Sequence, residues 1–388
     1  MERFHPIAAD ADVPPEMLAL AQGECALAIG RLDGLLAGLT ETEQALFCTG
    51  LLREILLAAL AQAGFADAAL RFNTWFTGLD RGPQETPLTP CSAHAVVRVL
   101  LGELGHHPWA PLAAAARTIT AAGRFGADRP PQPEDALADE AIAKAALLVQ
   151  QASASSDAPL PFTGLARLNE LLRAEPLFAP VERASRTFSF AGRDVAIEQT
   201  APRTPLWAAD AALGRVMTAC GAWARALPCP GATTAEALMP QLWPGERAMI
   251  AAHRLHASVM RLAGLAADAR QRAALMQAHL GHLRSSARAP QVWIVLAAFA
   301  PLGLDQMAAS FSVSRRGTYA IGESLTAACL ARRDTVKGKV LLVAEEPSNS
   351  LRPTPKRETQ TRPSHALAEF DAAMAEIDRL LASSSELP

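Results

Sequence analysis

Two adjacent arginines, Arg315 and Arg316, open the segment of this chain whose residue types best fit a binding chemistry. Ser314 precedes them, and serine is a residue type that caps the amino end of a helix. A helix beginning here carries the hydroxyl of Thr318 and the ring of Tyr319 in its next turn. Guanidinium and hydroxyl groups hydrogen-bond base edges in the major groove of DNA. The segment therefore predicts a recognition helix in which these five residues bind DNA.

The residues just before this segment predict the rest of a helix-turn-helix unit. Residues 304 to 314 read LDQMAASFSVS, with Ala308 small where two helices would touch and Ser312 small where the chain would turn. The side chains predicted to fill the core between the helices are Met307, Phe311, Val313 and Ile321.

Three residues depart from the usual pattern of such units. Ser312 stands where glycine is common, and Thr318 holds a position that is commonly a buried aliphatic residue. Gly317 lowers helix propensity by up to about 1 kcal/mol relative to alanine. The alternative interpretation is therefore a pair of ordinary packed helices with a basic, solvated face.

A second group of cations follows the predicted recognition helix. Arg332 and Arg333, then Lys337 and Lys339, precede the apolar run 340–343, which predicts a winged-helix strand with a basic turn. These four side chains are expected to contact the DNA backbone. Residues 284 to 339 hold eight basic and three acidic residues, a local charge of +5 in a chain of net charge −3. A basic patch in an acidic chain attracts phosphate.

Other chemistry-bearing residues are interpreted as structural. His253 and His256, then His279 and His282, have the spacing of metal ligands, and two packed helices could bring the four together. No Glu-x-x-His arrangement accompanies them, so a metal-dependent enzyme remains only the lesser alternative. The segment from Cys91 to His94 is interpreted as a buried cysteine beside a helix, because no nucleophile elbow or phosphate-binding glycine loop occurs. No catalytic residue, metal or cofactor is predicted.

The composition favours an all-α fold. Half of the 388 residues are hydrophobic, and they are mainly alanine and leucine, whereas aromatic residues supply only 5%. The six cysteines form no C-x-x-C pair, which argues against zinc ribbons and a disulfide framework. The N-terminus lacks the pattern of a signal peptide, and the apolar run 292–304 is too short to span a bilayer. We therefore expect a cytoplasmic protein without membrane contact.

Linker composition and helical periodicity predict several domains. Residues 15–63 are expected to form two paired helices, and residues 186–198 alternate apolar and polar positions around Gly192, as a β-hairpin does. The predicted divisions are a leader at 1–14, an N-terminal helical domain at 15–125, a linker with one Ala-rich helix at 126–160, a middle helical domain with the hairpin at 161–285, a helix-turn-helix or winged-helix domain at 286–346, a flexible linker at 347–364 and a C-terminal helix at 365–384.

Three patches of the sequence carry a family resemblance. The segments ALAIGRLDGLLA (26–37) and TPLTPCSAHAVVR (86–98), with the late helix-turn-helix, resemble a family of uncharacterised helix-turn-helix proteins of rhizobia and related alphaproteobacteria. Members join an N-terminal helical region to a domain of unknown function. That region has some likeness to Fic-type proteins, but the HPFxxGNGR motif of their active site is missing from this chain. The resemblance implies DNA binding and no catalytic residue.

The sequence thus predicts a mainly α, multi-domain protein that binds double-stranded DNA, as a transcriptional regulator or plasmid-maintenance factor. Paired half-sites make a homodimer the expected form, with its interface in the helices of residues 15–63 or 365–382. The main alternative is a helical scaffold that uses the same basic face to bind an acidic protein surface.

Overall fold

The computed structural model describes residues 12–86, 89–125, 133–154, 161–180, 185–190, 193–198, 203–284 and 286–345. Most of the predicted leader, the predicted linker at 347–364 and the predicted helix at 365–384 lie outside these ranges. The described residues belong to one compact unit, which ends at Glu345.

The mainly α fold expected from the composition is confirmed. The helices of the described ranges are α1 (Pro15–Ala37), α2 (Glu41–Gln62), α3 (Ala68–Phe76), α4 (Ala93–Gly105), α5 (Ala110–Ala122), α6 (Ala136–Ser153), α7 (Pro161–Ala174), α8 (Trp207–Ala219), α9 (Pro244–Leu280), α10 (Ala289–Phe299), α11 (Leu304–Phe311) and α12 (Arg315–Ala327). Many start at residue types that suit the first turn, such as prolines at the starts of α1, α5, α9 and α10.

Two small sheets complete the described part of the chain. The predicted hairpin is confirmed as β1 (Ser185–Phe190) paired antiparallel with β2 (Arg193–Glu198). The second sheet has the order β3-β5-β4, from β3 (Leu302–Gly303), β4 (Ala331–Val336) and β5 (Lys339–Ala344). Strand β5 pairs antiparallel with both β3 and β4. The last strand after α12 therefore lies beside the short strand that precedes α11.

The longest helix, α9, lies at the centre of the core. Its packing shows that the expected pairing of the first two helices is wrong. Helix α9 has 37 residues and packs against both α1 and α2, whereas α1 and α2 make hardly any contact with each other and so do not form a hairpin. Helix α9 starts after Trp243, whose N–H donates to the Glu246 side chain at 2.8 Å. Local periodicity cannot reveal which distant helix covers an apolar face.

Helix α2 is, among the described residues, the one that is long and apolar enough to cross a membrane by length and composition. Of its most apolar 18-residue window, 56% is buried inside the fold. The helix packs against α4, α5, α9 and α10. This packing accounts for its apolar sequence.

The apolar core runs across the predicted domain boundaries. One cluster of buried residues extends from Cys25 in α1 to Leu342 in β5. Helices on opposite sides of the boundaries near 126–160 and 286 are in contact, including α2 with α9 and α5 with α11. The C-terminal elements are therefore packed onto the N-terminal helices.

The buried side chain of Gln306 makes hydrogen bonds between the C-terminal elements and the N-terminal helices. Its Nε2 donates to the carbonyl oxygens of Phe76 and Ala122, both at 2.9 Å, and these are the last residues of α3 and α5. Its Oε1 accepts from Gly303 N at 2.8 Å. The last carbonyls of a helix have no partner within the helix. The amide of Gln306 therefore supplies a hydrogen bond to the end of α3, to the end of α5 and to the backbone N–H just before α11.

We predict that Gln306→Met lowers the free energy of unfolding by about 2–4 kcal/mol. The methionine has a similar volume, but it removes the bonds that Gln306 makes to Ala122 O and Gly303 N, and it leaves Phe76 O with only its bond from Arg124 N. Denaturant unfolding measures the effect, with Gln271→Met on the exposed face of α9 as the control. Equal stability of the two variants would contradict this role for Gln306.

Candidate nucleic-acid interface

The C-terminal elements follow one another in the order α10, β3, α11, α12, β4, β5. Helix α11 ends at Ser312, whose φ of 52° and ψ of 42° are left-handed. Helix α12 starts at Ser314, whose side chain accepts a hydrogen bond from Gly317 N at 3.2 Å. The turn at Ser312 and the cap at Ser314 are as the sequence predicts. Of the predicted core residues, Met307 and Ile321 are buried, and Phe311 and Val313 are half-buried against the core.

The end of α12 is fixed by a Schellman arrangement. Cys329 has a left-handed φ of 55°, its N–H bonds to Thr326 O at 3.0 Å, and Leu330 N bonds to Leu325 O at 3.0 Å. The side chains of Leu325 and Leu330 are both fully buried, which is the apolar contact that accompanies this motif. Helix α12 is therefore held at both ends, which fixes the direction of its exposed face.

The exposed face of α12 carries the two predicted arginines. Arg315 and Arg316 are exposed, and among the described residues neither forms an ion pair. Tyr319 is half-buried one turn further along the same face. Three of the proposed contact residues are thus brought together at the amino end of one helix, where the helix dipole also favours an anion.

Thr318 does not belong to this face, which corrects its predicted role. Its side chain is fully buried, and its Oγ1 donates to Arg315 O at 2.7 Å. A buried hydroxyl that is satisfied within its own helix cannot reach a base edge. Thr318 instead fills the core position that an aliphatic residue commonly holds.

The two arginines of β4 already have partners in the structure. Arg332 lies 3.3 Å from the Asp334 carboxylate and 3.5 Å from that of Glu345. Arg333 donates to Tyr319 O at 3.1 Å and lies 3.7 Å from the Glu323 carboxylate. Arg333 therefore ties β4 to α12, and its charge is partly neutralised.

The two lysines lie at the turn between β4 and β5. Lys337 and Gly338 have φ values of 50° and 75°, so they form a tight two-residue turn closed by the pairing of Val336 with Lys339. Lys339 is exposed, whereas Lys337 Nζ donates to Leu79 O at 3.0 Å in the loop after α3. The turn between β4 and β5 is therefore bonded to the loop that follows α3.

Two residues of the exposed face were not singled out from the sequence. Ala320 and Glu323 are exposed on α12 beside Arg316 and Tyr319. The signal was available, because positions three and four apart share one helix face. Glu323 places a carboxylate in the middle of a basic surface, and Arg333 is the cation that balances it.

The four histidines cannot form one metal site. His253, His256 and His279 all lie on the single helix α9, and His282 follows its end. At 1.5 Å per residue the two pairs are about 35 Å apart along the axis. Within the described residues no group of three or more His, Cys, Asp or Glu side chains could hold a metal ion.

The segment around Cys91 is structural, as expected. The Cys91 thiol is buried, and burial raises its pKa to about 12, so the thiolate needed for attack is disfavoured. Ser92 caps α4 by accepting from Ala95 N at 3.1 Å and donates its own proton to the Asp135 carboxylate at 2.5 Å.

A buried carboxylate and a buried histidine hold the loop that follows α8. Asp210 accepts hydrogen bonds from Gln62 Nε2, Gly231 N and Thr233 N, and burial raises its pKa to about 7. His107 Nδ1 accepts from Trp109 N, so its Nε2 carries the proton that bonds Ala226 O at 2.7 Å. Burial lowers the pKa of this histidine. Both groups hold backbone segments by hydrogen bonds, which accounts for their burial.

A scan against protein-family models and a search of curated proteins found no match for this chain. The likeness to the alphaproteobacterial helix-turn-helix family stays a hypothesis from the three sequence patches. The function proposed below is supported by geometry and charge alone.

We predict that Ser312→Gly raises the free energy of unfolding by about 0.5–1 kcal/mol, because glycine adopts the left-handed conformation without steric cost. Ser310→Gly, in the preceding helix, should lower it by up to about 1 kcal/mol. Thermal or denaturant unfolding of the two variants checks the contrast. A loss of stability in both would mean that Ser312 is not strained.

We predict that Asp210 makes stability fall as the pH rises from about 4 to about 7. Its ordinary pKa is 3.8, so in this window the folded protein holds a proton that the unfolded chain has released. The stability of wild type relative to Asp210→Asn should therefore be smaller at pH 8 than at pH 5. Denaturant unfolding at both pH values measures it, with exposed Asp268→Asn as control. An unchanged difference would exclude this titration.

Proposed function

We propose that this protein binds double-stranded DNA, with α12 entering the major groove as the recognition helix of a winged helix-turn-helix. The observation that carries the proposal is the exposed pair Arg315 and Arg316 at the capped start of α12. Arginine pairs with guanine through two parallel hydrogen bonds, which is the commonest specific contact in this groove. Tyr319, on the same face, supplies a further contact.

The elements around α12 support a winged form of the motif. A short strand precedes α11, two strands joined by a tight turn follow α12, and the sheet order is β3-β5-β4. Winged helix-turn-helix domains have this order of strands and helices. The exposed Lys339 is the wing cation best placed to meet a phosphate, because Lys337 is bonded to Leu79 O and the two β4 arginines are paired with carboxylates.

The partners that each cation has in the structure indicate which part of the DNA it would contact. The arginines of α12 keep their charge and donors for DNA, whereas Arg333 holds Tyr319 O and Glu323. Arg315 and Arg316 are therefore proposed to read bases, and Lys339 to contact the backbone. Such a protein acts as a transcriptional regulator or plasmid-maintenance factor in the cytoplasm.

We predict that replacing Arg315 and Arg316 together with alanine weakens binding to a preferred duplex by roughly thirtyfold or more. The duplex is first selected from fragmented genomic DNA with the wild-type protein. Fluorescence anisotropy with the labelled duplex then measures affinity at low and moderate salt. Alanine favours helix, so the variant should stay folded.

The matched control removes two exposed arginines elsewhere, Arg167 on α7 and Arg203 before α8, giving the same change in net charge. The control should bind as wild type does. Equal weakening of both double variants would mean that only total charge matters. No binding by wild type at low salt would favour the scaffold alternative, in which the basic face binds an acidic protein surface.

A further inference from the structure

The outer face of α1 is unusually apolar for an exposed helix. Met17, Leu20 and Leu27 are 55%, 64% and 56% exposed, although the opposite side of the same helix is in the core. Large apolar side chains grouped on one exposed face indicate an interaction surface, whereas single ones need no explanation.

Small residues alternate with these side chains at heptad spacing. The seam residues occur three or four apart, as in helices that pair along their length: Leu20, Gly23, Leu27, Gly30, Gly34 and Ala37. A Cβ added to Gly23, Gly30 or Gly34 would meet no described residue within 4 Å, so this part of the chain leaves space above each of them. Glycines in a helix weaken it by about 0.5–1 kcal/mol each relative to alanine, and close approach of a second helix is one use for them.

The charges beside the seam determine what the face can pair with. Glu24 and Arg31 are exposed, lie seven residues apart and border the seam on the same side. If two copies of α1 met in parallel, Glu24 would lie beside Ala19 of the other copy and Arg31 beside Ala26, so neither charge would have a partner. In an antiparallel pair about a two-fold axis near Leu27, each Glu24 instead faces Arg31 of the other copy.

The same axis matches large side chains with small ones. The two Leu27 side chains meet near the axis, and Leu20 of each copy lies over Gly34 of the other. A two-fold interface needs this self-complementarity, in which one patch contacts its own copy. The other side of α1 is fixed along α9, with contacts from Asp12 to Gly245 and from Leu35 to Arg270. The face is therefore presented on a supported helix.

We propose that a second copy of this chain covers the outer face of α1, giving an antiparallel helix pair at the centre of a homodimer. The inference deepens the proposed function, because a dimer supplies two recognition helices for paired half-sites. The outer face of α1 contains none of the residues proposed to contact DNA, so dimerisation through it can fail while DNA binding holds.

The first test is sedimentation velocity of the full chain without DNA over a wide range of concentration. Wild type should sediment as a dimer that dissociates on dilution. A monomer at every concentration would overturn the proposal and leave the DNA measurements unaffected.

Charge exchange tests the antiparallel register. Glu24→Arg and Arg31→Glu should each weaken dimerisation by about tenfold or more, because each variant places like charges opposite each other at two sites. An equimolar mixture of the two variants should form a heterodimer, and the double variant E24R/R31E should regain dimerisation. Failure of both rescues would exclude this arrangement.

A substitution at Gly30 tests whether the outer face of α1 is the dimer interface, and a matched substitution elsewhere controls for effects on folding. Gly30→Arg should abolish the dimer, since the side chain would fill the space needed by the second helix, and it should not destabilise the monomer. Gly102→Arg on α4 is the matched control, because its Cβ also meets nothing within 4 Å. A dimer that tolerates Gly30→Arg would have its interface elsewhere and would overturn the proposal.

Discussion

The side-chain amide of Gln306 joins three helices at one buried point. It bonds the final carbonyls of α3 and α5 and the backbone N–H that precedes α11. Helix ends packed into a core need such partners, because an unpaired buried carbonyl costs as much as several apolar contacts contribute. Together with the packing of α5 on α11, this amide fixes where α11 and α12 lie relative to the N-terminal helices, and with it the direction in which α12 presents its arginines.

Local patterns were enough to predict the elements on which the proposed function depends. The capping serine, the small turn residue and the adjacent arginines act over four or five residues, so the turn at Ser312 and the start of α12 could be read directly. The hairpin from Ser185 to Glu198 was predictable for the same reason, since alternation has a period of two. In each case the interactions that determine the local structure lie between residues of the same short segment.

Long-range contacts were outside the reach of such patterns. The sequence does not indicate that Gln306 is buried, because its partners are more than 180 residues away. Nor does it indicate that α9 would pack against both α1 and α2, since several apolar helices could cover the same faces. Thr318 was assigned to the exposed face because its hydroxyl suits a base contact, but helical geometry turns it toward the core. The partners of Arg332 and Arg333 depend on the register of β4, which is also set at a distance.

The contact of Lys337 with Leu79 O has a consequence for how the wing would take up a phosphate. The Lys337 ammonium is already bonded to the Leu79 carbonyl, so it must give up that bond to bind a phosphate oxygen. Its contribution to DNA affinity is therefore the difference between the free energies of the two bonds. The released carbonyl then turns to water. Phe76, three residues earlier, is bound by Gln306, and Leu79 N itself donates to Thr74 O at 2.8 Å. The loop after α3 therefore holds a carbonyl oxygen at a fixed place, and a phosphate would have to compete with it for Lys337.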